Sequence, residues 1–222
     1  MSRGGHRRRA GGGPPPARSR APEAAATSAG GGQLRLIAGR WRGRKLPVAA
    51  VPGLRPTPNR LRETLFNWLA FEIDGARCLD LYAGTGALGL EALSRGAAHC
   101  DFVEPDRRAR AMLEQSLQTL QATDQAGVHA GPALSLLAAA GPPAQPGRSY
   151  DLVFVDPPFA DEAWADVLAA LPPRLAPGAR VYLERPARYS APWSQAWTVL
   201  RESRAGESMG ALLTHTPGES SR

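Results

Sequence analysis

The sequence is poor in the residues that build disulfide or metal frameworks. Its 222 residues contain two cysteines and four histidines. Cys78 and Cys100 lack Cys-x-x-Cys spacing and sit in apolar runs, so they read as reduced, buried residues of a cytoplasmic protein. His6, His99, His129 and His215 are scattered without ligand spacing, and no metal is expected. No stretch approaches the ~18 consecutive apolar residues of a membrane helix, so a membrane protein is not expected. A secretory leader would need an apolar core that the start of the chain lacks. An organelle transit helix would be broken by its glycines and prolines.

Acidic residues are missing from one region in particular. Residues 33–62 carry eight basic residues and no acidic one, and residues 1–32 carry six basic residues against Glu23. Those segments hold +8 and +5, whereas the remainder, with 13 basic and 19 acidic residues, holds −6. Such asymmetry points the front of the protein toward a polyanion. Residues 1–32 are mostly Gly, Pro, Ala and Arg, with almost nothing to pack, and read as a disordered arm. Its use is either sequence-independent attraction to phosphates or none beyond composition.

What is present begins with Asp156-Pro157-Pro158-Phe159, which ends the apolar run 150–155. An amine on an aromatic base is a poor nucleophile because its lone pair is delocalised into the ring. The Asp156 carboxylate and the Pro157 carbonyl can both accept hydrogen bonds from such an amine and favour a tetrahedral nitrogen. Consecutive prolines fix the carbonyl directions, and Phe159 can stack on the base. The tetrapeptide therefore reads as the catalytic loop of an amino methyltransferase. The competing reading is that Pro-Pro ends a strand and Phe159 belongs to the core.

Upstream, residues 77–89 read as a strand, a glycine turn and a helix that Gly96 stops. Tyr82-Ala83-Gly84-Thr85-Gly86 forms the turn, and Gly84 and Gly86 permit close approach of a ligand to the backbone. About twenty residues on, the run 99–104 ends in Glu104, placed to hold ribose hydroxyls. The spacing of Gly84, Gly86 and Gly89 also fits a dinucleotide fingerprint, so a nicotinamide or flavin enzyme stays in view. Asp80 weighs against it: a carboxylate beside the turn repels a pyrophosphate and attracts the sulfonium and ammonium of S-adenosylmethionine.

In 34–46, apolar and cationic residues partly alternate, with glycines at turn positions, which predicts a small β-hairpin. Arg40, Arg42, Arg44 and Lys45 around Trp41 combine phosphate-binding charge with an aromatic surface suited to irregular RNA. The alternative is a solvated hairpin with Trp41 packed on the body. Arg55 and Arg60 flank the start of a helix with Thr57 as N-cap, Pro58 at its first position, and Leu61, Leu65, Trp68 and Leu69 as its buried stripe. Beyond it, strands at 77–81, 99–103, 127–130, 150–155, 179–184, 197–202 and 209–214 alternate with helices at 87–95, 106–121, 132–140 and 161–171. That pattern predicts an α/β doubly wound parallel sheet, its last two strands antiparallel, with both candidate loops at carboxyl ends of strands.

The residues at 36–44, Arg55-Pro56-Thr57, 62–69, 80–89 and 156–159 together resemble the RsmD family of class I methyltransferases, from about Leu34 to His215. The resemblance implies a Rossmann-like, seven-stranded, mostly parallel sheet with an N-terminal β-hairpin extension. It implies methyl transfer from S-adenosylmethionine to the exocyclic 2-amino group of a guanine in 16S ribosomal RNA. The expected partner is that RNA within a small ribosomal subunit or an assembly intermediate, naked RNA being left open by the sequence, and the expected state is a monomer. The expected organisation is an arm at 1–32, a basic RNA-binding hairpin at 33–56, a methyltransferase domain at 57–216 and a disordered tail at 217–222. Cofactor contacts then fall on Asp80, Tyr82, Ala83, Gly84, Thr85, Gly86, Glu104 and Asp156. One departure stands out: Pro132 occupies the place where such enzymes tend to carry an acid near adenine, which leaves backbone groups and the side chains of Ala133 and Leu134. Residue chemistry alone still admits an adenine amine, another RNA or DNA, or an inactive RNA-binding assembly factor.

Overall fold

The computed structural model describes Met1 and residues 32–48, 59–139, 149–160, 162–190 and 193–216. Thr57, Pro58 and Arg55, like most of the arm and the C-terminal tail, lie outside the described residues. Seven strands form one sheet: β3 (Arg77–Asp80), β4 (His99–Glu104), β5 (Ala126–Ala130), β6 (Tyr150–Val155), β7 (Leu175–Pro186), β8 (Trp197–Ala205) and β9 (Ser208–His215). Their order is β5-β4-β3-β6-β7-β9-β8. The first five run parallel, and β9 inserts antiparallel between β7 and β8. The expected α/β architecture is therefore observed.

The parallel strands are apolar on both faces because helices cover both. On one face α1 (Asn59–Trp68), α2 (Ala87–Ser94) and α3 (Arg107–Thr119) bury Leu65, Leu69, Leu90, Leu93, Leu113 and Leu117 against Cys78, Phe102, Phe154 and Tyr182. On the other, α4 (Ala133–Ala139) and α5 (Trp164–Ala170) bury Leu137, Trp164, Val167 and Leu168 against Leu79, Val153 and Val181. The predicted helix over 161–171 is shorter than expected: Glu162 takes a left-handed φ of 45° ahead of it, which no helix can continue through. Leu61, Leu65 and Leu69 are buried as expected, while Trp68 is half-buried and Arg62 and Phe66 join the buried face.

Residues 33–47 form a hairpin of two short strands, β1 (Gln33–Arg35) and β2 (Lys45–Pro47), around a 3-10 turn at Gly39–Trp41. The hairpin shares the core of the body through Leu34, Leu36, Leu46 and Val48. Polar groups fix it as well. Glu91 of α2, fully buried, accepts from the backbone amides of Ile37 (2.8 Å) and Ala38 (3.0 Å). Ser94 donates to Ala38 O and accepts from Trp41 N, and Arg62 of α1 donates to Arg35 O. Gly39, at φ 76°, lies so close to Ser94 O that a Cβ would stand 1.8 Å from it.

Candidate active site and nucleic-acid interface

The glycine turn and the Asp-Pro-Pro-Phe loop lie side by side. They leave adjacent parallel strands, β3 and β6, at their carboxyl ends, and Leu81 N donates to Phe154 O across the gap (3.1 Å). Ala83 N donates to Val103 O (3.0 Å), which ties the turn to β4 on its other side. Gly86 adopts φ 76° immediately before α2, a conformation that glycine takes without strain. Gly89 has a different purpose: a Cβ there would lie 2.2 Å from the Phe102 ring and 2.7 Å from Cys100 Sγ, so its bareness seats α2 on the sheet.

Carboxylates gather along this edge. Asp80 is level with Phe102 and Phe154 on the neighbouring strands, and Phe154 with Tyr182. One pleat further on, Glu104, Asp156 and Glu184 come to a common level, because Val155 pairs with Leu183. Side chains repeat by two along a strand, so these acids share the face of Phe102, Phe154 and Tyr182. Asp80 is enclosed, its Oδ2 accepting from Gly89 N (3.0 Å). Burial pushes its carboxyl up to about 7; the Gly89 amide opposes this, and Asp156 and Glu104 add to it. Asp80 is thus held by backbone amides on both sides, Tyr82 in the glycine turn and Gly89 in the first turn of α2.

Glu104 is buried and uses both oxygens, accepting from Gly84 N (2.8 Å) and Asp106 N (2.7 Å). Each oxygen keeps a second lone pair for a ligand hydroxyl. Tyr82 and Thr85 are half-buried, and Ala83 and Gly84 are buried. Asp156 is half-buried, Pro157 buried and Pro158 exposed. Phe159 is 37% exposed, and its ring meets that of Trp164 at 6.5 Å, which in turn meets Tyr189 at 5.7 Å. The reading of Phe159 as a core residue is therefore not what the structure shows.

After β5, Gly131 turns the chain at φ 118°, and Pro132 O accepts from Ser135 N and Leu136 N at the start of α4. Ala133 is buried and Leu134 exposed. Pro132 opens this helix, an acceptable place for a residue without an amide hydrogen.

The basic hairpin stands elsewhere. Its tip packs on the C-terminal end of α2 and the segment leading into β4, the opposite edge of the sheet from the crevice, one helix length or ~12 Å away. A groove of about 480 Å³ there is lined by Arg40, Ser94, Arg95 and Gln125, among others. Arg40 lies over the half-buried Trp41 ring (4.0 Å) and donates to Gln125. Arg44 donates to Thr119 O at the end of α3. Trp41 thus packs on the body as the alternative reading had it, and Arg40 and Arg44 are partly committed to holding the tip. Arg42 and Lys45 are exposed. Arg60, also exposed, lies in the first turn of α1, two residues before the Arg62 that donates to Arg35 O of the hairpin.

Reasoning from sequence missed Glu184, Trp164, Tyr189, Glu91 and Arg62. An acid inside the apolar run 181–184 was the available signal for Glu184. Among the described residues no group of three or more His, Cys, Asp or Glu is arranged to hold a metal ion, and no helix is long and apolar enough to cross a membrane.

The family described as Conserved hypothetical protein 95 matches residues 34–214. Ribosomal RNA small subunit methyltransferase D of Escherichia coli (strain K12) is 46% identical over 179 residues, 79% of this chain and 87% of that protein. Its namesake in Haemophilus influenzae is 42% identical over 178 residues, 79% of this chain and 90% of that one. The solved structure of yhhF from Escherichia coli superposes with a TM-score of 0.73 at 42% identity, covering 83% of this chain and 99% of that one. The chain belongs to the RsmD family, whose relatives bear the name ribosomal RNA small subunit methyltransferase D.

Proposed function

We propose that the protein transfers a methyl group from S-adenosylmethionine to the exocyclic 2-amino group of a guanine in small-subunit (16S) ribosomal RNA. One observation carries the reading: a glycine turn and an Asp-Pro-Pro-Phe loop meet across adjacent strand ends, along an edge lined by Asp80, Glu104, Asp156 and Glu184. A carboxylate-rich edge suits a sulfonium and an ammonium and disfavours the pyrophosphate of a nicotinamide cofactor. The names of the relatives supply the RNA, and the family resemblance supplies guanine.

S-adenosylmethionine supplies the methyl group. The backbone of the turn from Tyr82 to Gly86 would line its place, Glu104 would offer its remaining lone pairs to ribose hydroxyls, and Ala133 and Leu134 would flank the adenine. Phe159 stacks on a guanine flipped out of the RNA. Asp156 and the Pro157 carbonyl accept from its amine, so that the nitrogen lone pair points at the methyl carbon. The new N–C bond forms from that pair, the electrons of the broken C–S bond stay on sulfur, and the amine proton leaves through Asp156 to water. Positioning is most of the catalysis. Arg42 and Lys45, with Arg40, Trp41, Arg44, Arg55 and Arg60, hold RNA phosphates and bases outside the crevice. The enzyme works in the cytoplasm as a monomer without a metal, on a small subunit or an assembly intermediate.

The test is incubation with labelled S-adenosylmethionine and small subunits lacking the modification, followed by nucleoside analysis. N2-methylguanosine at one position is expected. Label in N6-methyladenosine would transfer the reading to an adenine amine, and label in no RNA would end it. Asp156→Ala should remove most turnover while sparing cofactor affinity.

A further inference from the structure

Glu184 is a buried acid that the chemistry above leaves without a task. It sits on β7, 2% exposed, opposite Gly210 of β9. Carboxyl groups are seldom buried unless paired, and among the described residues no cation forms an ion pair with this one. The groups that face it are Asp156 from the end of β6, the Tyr182 phenol from its own strand and the Ser208 hydroxyl from β9. The Tyr182 hydroxyl donates to Glu184 Oε2 at 3.3 Å. From α5, the Trp164 indole reaches only the Glu184 carbonyl oxygen (2.7 Å).

Two carboxyl groups on neighbouring strands, ~4.8 Å apart at the backbone, are costly to ionise together. The proton goes to the more enclosed group, whose anion is the harder to solvate. Resting on the methyl-transfer reading, the geometry points to Glu184 as a positioning residue: its buried carboxyl keeps a proton beside Asp156 and so leaves Asp156 anionic and aimed at the amine. Glu184 does not take the proton released by the reaction, because it already holds one. Burial first, and then Asp156, push the Glu184 carboxyl up to about 8. The Tyr182 phenol is pushed well above its ordinary range, again chiefly by burial, and stays a neutral donor. When Glu184 ionises, two adjacent anions repel and Asp156 is driven from its aim.

The experiment measures single-turnover methyl transfer to small subunits at saturating S-adenosylmethionine, from about pH 6 to about pH 9.5, each protein compared with its own plateau. With Glu184 titrating at about 8, the wild-type rate should fall about tenfold by one unit above that value. Glu184→Gln, which cannot ionise, should lose this alkaline fall. Tyr182→Phe removes a donor that favours the Glu184 anion, so its fall should move to higher pH; it serves as the check where Glu184→Gln folds poorly. A Glu184→Gln profile parallel to wild type, an unshifted Tyr182→Phe profile, or a wild type flat through pH 9 would overturn the inference and leave the methyl-transfer reading intact. No transfer by wild type at any pH would overturn both.

Discussion

Replacing Glu91 by alanine tests how the hairpin is joined to the body. The carboxylate accepts from Ile37 N (2.8 Å), Ala38 N (3.0 Å) and Arg95 Nε (2.8 Å), with no exposure of its own. Hydrogen bonds to charged groups are worth about 1.5–3 kcal/mol each, but three that share one acceptor do not add. Leaving the Arg95 guanidinium and two amides without their partner makes the loss comparable to a broken buried ion pair, about 3–5 kcal/mol. For a chain of this size each kcal/mol lowers the melting temperature by about 2–4 °C, which gives a drop of roughly 6–20 °C. Thermal melting by circular dichroism reads this directly, and limited proteolysis should find new cleavage within residues 36–44. Glu91→Gln, retaining one acceptor oxygen, should fall between. A loss below about 2 °C for Glu91→Ala would refute the argument, since at ~2–4 °C per kcal/mol it would mean the anchored hairpin contributes under ~1 kcal/mol.

Gly89→Ala should cost about 1–3 kcal/mol through overpacking, because the new methyl meets the buried Phe102 ring and Cys100. Melting and S-adenosylmethionine affinity should both fall, and preservation of both would count against tight seating of α2. Phe159→Ala should weaken RNA binding by the ~1–3 kcal/mol of one base–aromatic stack and leave cofactor affinity alone; equal losses for both ligands would contradict the assignment. Asp80 makes stability depend on pH. Its folded carboxyl stands at about 7 against an ordinary value near 4, so its contribution is fully present below that ordinary value and lost as pH rises through about 7. Melting of the free protein should decline over that window. Asp80→Asn should flatten the decline, and so should saturating S-adenosylmethionine, whose positive charges favour the Asp80 anion; a wild-type melting temperature constant from about pH 4 to about pH 8 would refute the linkage.

The fold was largely legible because apolar runs of strand length alternate with helical periods, and each pattern buries its own kind of surface. Legibility failed where a local signal misleads. The strand expected at 179–184 begins at Leu175 instead: Leu175 pairs with Tyr150 and Arg180 with Leu152, so β7 itself bulges over the residues between, with Gly178 at φ 76°. Glu91 lies within an apolar helix and looks like a solvent-facing break in it. Its reason for burial is two amides more than fifty residues earlier in the chain, beyond the reach of any window. The loop residues Asp80, Glu104 and Asp156 were found because each ends a strand. That they converge on one face with Glu184 depends on strand order and register.

The separation of charge has a consequence for the RNA. The crevice edge carries Glu104 and Asp156 beside the enclosed carboxyls of Asp80 and Glu184, and its ionised acids draw in a cationic donor but repel phosphates. Under the proposed function, the substrate backbone needs its hold elsewhere, and the exposed cations of the hairpin stand at the opposite edge of the sheet, where Arg40 and Arg44 brace the tip and leave Arg42 and Lys45 outward. A folded RNA segment reaches easily across the ~12 Å length of α2 that separates the tip from the crevice. On that proposal affinity and chemistry fall on different elements, and the buried Glu91 joins the hairpin to α2, which starts at the glycine turn. Local structure in the RNA, more than the sequence around the target base, is then what such a surface can measure.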